Sequence, residues 1–321
     1  MKSILICNFV AQKMTMAIPR YRILILLAFF AIYVIWGSTY LLNKIVVTEV
    51  APLLLASIRF LTAGILMVIL SFLLKLNLKV NWIQLRNCVI AGFLFLGFGN
   101  GVFVWALKYV DSGFAALEAA TQPLFVIILM RMLHGTKIKT KSLFGVVLGI
   151  VGMYLLVSQQ TLNFNENSFI GICMILCCVL SWSYASIFVS KASLPSSFFV
   201  STAYQMLSAG CILLSASYLL GEPWLSPLKW SPTAQWSMIL LIVFGSIVAF
   251  TAFNYLLKVV STEKVSTSSY VNPVIALLLG WYILDEHISL QSIIAAVILL
   301  TGVYFINSKK DIVIFSRFSK K

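Results

Sequence analysis

The chain has 321 residues, of which 61% are apolar and only 10% are charged, and its mean hydropathy is +1.02. A soluble domain has roughly 25% charged residues, so this composition excludes one and indicates a membrane protein. The net charge of +14 does not indicate nucleic-acid binding, because the basic residues are interleaved with apolar segments instead of forming one patch.

Ten apolar segments are long enough to be transmembrane helices. A helix needs roughly 17 to 25 apolar residues to cross about 30 Å of hydrocarbon. Solid blocks such as ILILLAFFAIYVIW favour helices over the alternating strands of a β-barrel. No connection between the blocks is long enough to fold as a separate domain. The predicted spans are 23–43, 52–74, 87–107, 112–133, 142–158, 168–190, 196–219, 235–257, 264–284 and 289–307.

Basic residues are distributed unequally between the two sides of these spans. Of the 23 Lys and Arg, 19 lie on the side of the termini, while Lys44, Lys108 and Lys229 lie on the opposite side and Arg59 lies within the second span. Loops rich in Lys and Arg stay in the cytoplasm. We therefore expect an integral protein of the cell (inner) membrane with both termini in the cytoplasm.

The second half of the chain repeats the first. Pro123 and Pro273 both fall inside predicted spans and are 150 residues apart, and the same offset relates Gly152 to Gly302. Because a five-helix unit crosses the membrane an odd number of times, its second copy must run in the opposite sense. We predict an all-α membrane protein in which ten transmembrane helices form two inverted five-helix repeats around a central cavity. The predicted divisions are a cytoplasmic tail 1–22, a first repeat 23–158, a second repeat 159–307 and a basic tail 308–321.

Several motifs carry a family resemblance. They are IWGSTY in the first span, ASIRF in the second, GNG, SGFAAL and TQPLF in the third and fourth, and SYVNPVIALLLG followed by DEHIS near the end. In this order they resemble the EamA-domain family, the ten-helix members of the drug/metabolite transporter superfamily, with Asp285 replacing a glycine of the family pattern. The resemblance implies a secondary transporter, usually an exporter of amino acids, metabolites or toxic compounds, with a central cavity between the two repeats. No cofactor is expected.

Two ionisable residues lie within the predicted spans. Arg59 and Glu118 each lie about seven residues from the outer boundary, so at 1.5 Å per residue both are about 10 Å deep. An ionisable group in hydrocarbon costs roughly 2.5 to 3.5 kcal/mol and needs a partner or a water-filled cavity. They are expected either to line a cavity for a charged substrate or a proton, or to form a structural ion pair.

Polar and aromatic residues near mid-membrane complete the expected cavity, because small-molecule pockets combine apolar walls with a few orienting polar groups. The prolines are expected to act as paired hinges or as static kinks. The predicted cavity residues are Trp36, Tyr40, Arg59, Asn100, Glu118, Gln122, Trp182, Tyr184, Tyr204, Gln205, Tyr270 and Asn272, and the predicted hinges are Pro123 and Pro273.

Other function classes have less support in the sequence. An intramembrane enzyme would need a nucleophile with a base or a metal cluster, but His134 and His287 are predicted on opposite sides of the membrane and no metal motif occurs. A channel would show rings of like charges. A scaffold without transport stays open, as do the oligomeric state and coupling to protons or ions. The expected partners are a small-molecule substrate and the lipid bilayer.

Overall fold

The computed structural model describes residues 20–106, 109, 118–158, 168–284 and 288–308, and these residues form helices joined by short loops with no β-strand among them. Three long helices contain a π-helical segment. Helix α1 comprises Arg20–Phe30, the π-helical Ala31–Ile35 and Trp36–Val47; α3 comprises Trp82–Gly92, the π-helical Phe93–Phe98 and Gly99–Ala106; α8 comprises Pro232–Leu240, the π-helical Leu241–Val248 and Ala249–Val259.

The other helices lack such interruptions. They are α2 (Pro52–Leu73), α4 (Gln122–His134), α5 (Thr140–Val157), α6 (Ser168–Lys191), α7 (Phe198–Leu219), α9 (Ser268–Leu284) and α10 (Leu290–Asn307), with a 3-10 turn at Pro227–Lys229 and a short helix at Thr262–Val265. Local sequence explains several helix starts. Pro52 and Pro232 stand in first turns, where a missing N–H costs nothing, and Asn81 forms a capping box with Gln84.

Eight of the described helices are long and apolar enough to cross a membrane, namely α1, α2, α3, α5, α6, α7, α8 and α10. Helix α4 has 13 described residues and α9 has 17. Residues 110–117 and 285–287, which belong to or adjoin these two predicted spans, lie outside the described part. The prediction of an all-helical membrane protein is confirmed, whereas ten spans remain a prediction.

Two pairs of helices pack closely through glycine. Leu61 of α2 fills the space over Gly210 of α7, and Leu207 of α7 fills the space over Gly64 of α2. Leu61 precedes Gly64 along α2, whereas their contact residues Gly210 and Leu207 follow in the reverse order along α7, so the two helices are antiparallel. Small residues allow this approach in membranes, where van der Waals packing holds helices together.

Helices α5 and α10 form the second pair. A Cβ atom on Gly302 would lie 2.7 Å from the backbone oxygen of Gly145, and a Cβ on Gly152 would lie 3.0 Å from the backbone nitrogen of Leu299. These helices are also antiparallel. The core accordingly has one large cluster among α1, α2, α3, α6, α7 and α8 and a second among α4, α5, α9 and α10, with a smaller cluster where α3, α4 and α6 meet.

We expect Gly302→Ala to destabilise the protein by about 1 to 3 kcal/mol, the usual cost of overpacking, because its new methyl group would meet a backbone oxygen that cannot rotate away. Gly97→Ala is the control, since its Cβ would have no neighbour closer than 3.4 Å. The unfolding temperatures of both variants are measured in detergent. Equal unfolding temperatures for the two would contradict the close α5–α10 packing.

Candidate functional site

An aromatic cluster lies where α1, α3, α6 and α8 meet. The Trp36 and Trp182 rings form a T-shaped pair with centroids 6.0 Å apart. Phe95 lies 5.0 Å from Trp182, and Phe253 lies 5.0 Å from Trp36. Phe95, Phe250 and Phe253 are buried, whereas the two tryptophans are partly buried. The structure therefore brings together Trp36 and Trp182, which come from different halves of the chain.

Each tryptophan lies against a π-helical segment or its end in a helix from the other half of the chain. Trp36 Nε1 donates a hydrogen bond of 3.1 Å to the Gly245 oxygen in α8. A Cβ on Gly99, directly after the π-helical segment of α3, would lie 3.1 Å from the Trp182 ring. Ser181 donates to the Leu94 oxygen of that segment at 2.8 Å. Such segments are frequent at functional sites, because they displace backbone groups from the regular hydrogen-bonding ladder.

Arg59 lies within this group of helices, beside α1 and α8. Its side chain is 6% exposed. Its Nε donates to the Ser246 hydroxyl at 2.7 Å, and its Nη1 donates to Asn43 Oδ1 at 3.5 Å. The guanidinium carbon lies 5.1 Å from the centroid of the Phe60 ring. The sequence did not reveal Asn43 and Ser246 as partners of Arg59, because spacing along the chain does not show which polar residues of different spans face one another.

The structure does not bring Arg59 and Glu118 together as an ion pair. Glu118 instead lines a groove of about 680 Å³ between α4, α5 and α6. One carboxylate oxygen of Glu118 is buried and has no hydrogen-bond partner among the described residues. Spacing along the chain shows only how deep each residue lies in the membrane, and it does not show which helix the residue faces. The groove is lined by Glu118, Thr121, Ile150, Val151, Tyr154, Leu155 and Ile172.

A second polar cluster joins α7 to α8. Gln205 is fully buried, and its Nε2 donates to the Ser201 hydroxyl at 3.0 Å and to Asn254 Oδ1 at 3.3 Å. Asn254 donates in turn to the Thr202 hydroxyl at 3.4 Å. Gln205 follows Arg59 by 146 residues (205 − 59), the same offset as between Trp36 and Trp182 (182 − 36). Helices α2 and α7, which belong to different halves of the chain, thus each carry a buried polar side chain.

Three predicted cavity residues have contacts elsewhere. Tyr270 is fully buried against Gly149 of α5, with its hydroxyl 3.5 Å from the Val146 oxygen. The Tyr204 hydroxyl donates at 3.1 Å to the oxygen of Leu78 in the loop after α2. Tyr184 is 43% exposed and stacks on a neighbouring ring of its own helix. Tyrosine matches the composition of a binding pocket equally well when it packs between helices, so composition alone could not separate these cases.

The remaining predicted residues have less defined surroundings. Asn100 in α3 and Gln122 at the start of α4 are partly buried. Asn272 in α9 is buried, and its Oδ1 lacks a hydrogen-bond partner in the described chain. The backbone oxygen of Asn272 lies close to Gly37 of α1. Tyr40 belongs to α1, but its side chain lies outside the described part of the structure.

The two prolines occupy different positions in their helices. Pro273 lies inside α9, as predicted. Pro123 is the second residue of α4, and helical residues 118–119 and a turn at residues 120–121 precede it within the predicted span 112–133. A proline in the first turn removes no helical hydrogen bond. The hinge role of both residues remains a prediction.

Two carboxylates connect loops at the end of the bundle where α2 and α8 begin. Glu222, in the loop after α7, accepts hydrogen bonds from the backbone N–H groups of Leu53 and Leu54 at 3.1 and 2.9 Å. Glu49 accepts from the hydroxyl and the N–H of Ser231, the residue that caps α8. These hydrogen bonds, first the hydroxyl and then the N–H, hold the pKa of Glu49 below its usual value. The two halves of the chain are therefore joined at this end.

Comparison with known proteins gives the chain a family. The model of the EamA-like transporter family matches it twice, over residues 23–158 and 169–308. The uncharacterized inner membrane transporter YedA of Escherichia coli (strain K12) is 38% identical over 291 residues, which cover 88% of this chain and 92% of the relative. Protein PecM of Dickeya dadantii (strain 3937) is 27% identical over 296 residues, 91% of this chain and 94% of PecM.

A solved structure supports the fold alone. Its chain is 19% identical to this one and superposes with a TM-score of 0.75, covering 88% of this chain and 95% of its own. At this level of identity the likeness concerns the arrangement of helices.

Proposed function

Because this chain belongs to the EamA-like transporter family, we propose that it is a secondary active transporter that exports small organic molecules from the cell. It would work by alternating access, with one binding site that opens in turn to each side of the membrane. Small metabolites, amino acids and drug-like compounds are the proposed substrates. The inner membrane is the proposed location, since a relative 38% identical carries that location in its name.

The observation that carries this proposal is the meeting of Trp36 and Trp182 at 6.0 Å. These residues come from different halves of the chain, and each contacts a π-helical segment or its end in the other half. An aromatic surface with polar groups beside it suits a small organic molecule. A site placed between two halves can open to either side when the halves move relative to one another.

The internal repeat supports the same mechanism. The family model matches each half separately. Helix α2 packs antiparallel to α7, and α5 packs antiparallel to α10, which are the pairs that correspond under the repeat. A two-fold axis in the membrane plane would produce such antiparallel pairs. We therefore propose two inverted repeats, 23–158 and 159–307, and ten spans.

The hydrogen bonds of Glu49 and Glu222 would hold one end of the transporter closed. Both join the two halves of the chain: Glu49, in the loop before α2, accepts hydrogen bonds from Ser231, and Glu222, in the loop after α7, accepts hydrogen bonds from the first turn of α2. With the termini in the cytoplasm, as the basic residues predict, this end faces outward. Release of substrate to the outside would then require these contacts to break, while the inner end would close by the corresponding movement.

Labelling of single cysteines tests the orientation. Lys79 lies in the loop after α2 and Leu228 lies before α8, and both are exposed. In a background without native cysteines, we expect an impermeant thiol reagent applied to intact cells to label Leu228→Cys only. Lys79→Cys should react after permeabilisation. Labelling of both residues in intact cells would exclude the proposed topology.

Uptake into proteoliposomes tests transport and the aromatic site together. We expect Trp36→Leu to raise KM roughly 2- to 10-fold, the range that loss of an aromatic contact gives, with little loss of folded protein. Trp236→Leu is the matched control, because that tryptophan is 66% exposed. Equal KM values for the two variants would remove Trp36 from the site. A scaffold would transport nothing, and a channel would show no saturation.

Glu118 is proposed as a proton-coupling residue rather than as a partner of Arg59. Its buried carboxylate oxygen lacks a hydrogen-bond partner in the described chain, and a carboxylate in that state can take up a proton. We expect Glu118→Gln, which cannot change its charge, to fold normally and to transport at a rate that no longer depends on a pH gradient. Wild-type gradient dependence in this variant would show that another group carries the proton.

A further inference from the structure

We propose that Arg59 binds the carboxylate group of the transported molecule, an organic acid whose apolar part lies against Trp36 and Trp182. The inference rests on the proposed function and adds the chemical class of the substrate. It starts from a cation that lies about 10 Å along α2 and is 6% exposed. A charge at such a position requires compensation.

The contacts of Arg59 satisfy its hydrogen bonds only in part. Ser246 and Asn43 accept one hydrogen bond each, and both acceptors are neutral oxygens. Asn43 is itself held by a hydrogen bond from its Nδ2 to the Thr39 oxygen at 2.8 Å. A guanidinium has five N–H donors, so the two bonds formed by described residues leave donors available. In that part of the chain no carboxylate forms an ion pair with Arg59.

Gly245 places the guanidinium beside the aromatic cluster. A Cβ on Gly245 would lie 3.0 Å from Arg59 Nη2 and 2.9 Å from the Thr39 methyl carbon, so a larger residue would displace one of them. The oxygen of the same glycine accepts the hydrogen bond from Trp36 Nε1 at 3.1 Å. Gly245 thus lies next to both the guanidinium of Arg59 and the ring of Trp36.

The charge of the site favours a carboxylate over other anions. A guanidinium presents a planar pair of N–H groups that matches the two oxygens of a carboxylate. One cation is neutralised by one monoanion, whereas a phosphate dianion would leave a net negative charge beside the buried Phe60 ring. The rings of Trp36 and Trp182 would contact the apolar part of the acid, and such contacts add specificity without further charge.

An internal carboxylate is the competing occupant of this position. Asp111 is the candidate, since it lies near the same end of the membrane in the sequence but outside the described residues. The two occupants predict opposite effects of removing the charge of Arg59. If the substrate supplies the anion, Arg59→Gln relieves an unbalanced charge in the substrate-free protein. If Asp111 supplies it, the same change leaves a buried carboxylate alone.

The experiment measures thermal unfolding of purified full-length protein in detergent with three matched pairs of probes. They are phenylacetate with phenylacetamide, phenylalanine with phenylalaninamide, and indoleacetate with indoleacetamide. We expect at least one carboxylate to raise the unfolding temperature of the wild type while its amide does not. Arg59→Gln should weaken that binding about tenfold or more, as loss of a hydrogen bond to a charged group does. Arg86→Gln, which changes an exposed arginine, should retain it.

The same variants show whether the substrate or Asp111 supplies the anion that neutralises Arg59. Without ligand, we expect Arg59→Gln to unfold at the wild-type temperature or above it. A lower temperature that Asp111→Asn restores in the double variant would overturn the inference, as would the absence of stabilisation by every carboxylate. Proteoliposome uptake distinguishes the two proposals. If Arg59→Gln transports neutral or cationic solutes as well as the wild type does, the proposed transport function stands and the binding of a carboxylate by Arg59 is refuted. Transport of no solute would refute both.

Discussion

Every polar group inside a bilayer must find its partner within the protein, and this constraint accounts for most of the structure. Backbone groups satisfy it by forming helices, which is why the described residues contain no strand. The same requirement makes each irregularity informative. The π-helical segments of α1, α3 and α8 alter the backbone ladder at places buried among other helices, where side chains such as Trp36 and Ser181 use the displaced oxygens.

Close helix packing determines which side chains can meet. Glycine in α2, α7, α5 and α10 lets these helices approach until a side chain or a backbone oxygen of one fills the space beside the other. With α2 and α7 held together, α1 and α6 bring their tryptophans to the same point, and α3 and α8 bring their π-helical segments beside them. The aromatic cluster is therefore built by helices from both halves of the chain.

The two ionisable residues in the membrane illustrate different solutions to the same cost. Arg59 donates hydrogen bonds to the Ser246 hydroxyl and to the Asn43 amide oxygen, and it lies beside the aromatic cluster. Glu118 faces a groove with apolar walls between α4, α5 and α6. A single structural ion pair would have removed both charges from chemistry. Their separate positions leave both charges available for the proposed roles, Arg59 in binding an anion and Glu118 in taking up a proton.

The sequence by itself determined that the protein is an all-helical membrane protein, the approximate limits of its long helices and its family. Composition and segment length are properties of the chain that folding does not change, and they report directly on how much apolar surface each segment offers to lipid. Only the tertiary structure decided which side chains meet. Helical periodicity gives the depth of Arg59 and Glu118 but not the helix that each faces, so their pairing could not be predicted. Asn43 and Ser246 became recognisable as partners of Arg59 only when α1, α2 and α8 packed together, because a contact between distant segments depends on helix rotation, which a single sequence does not specify.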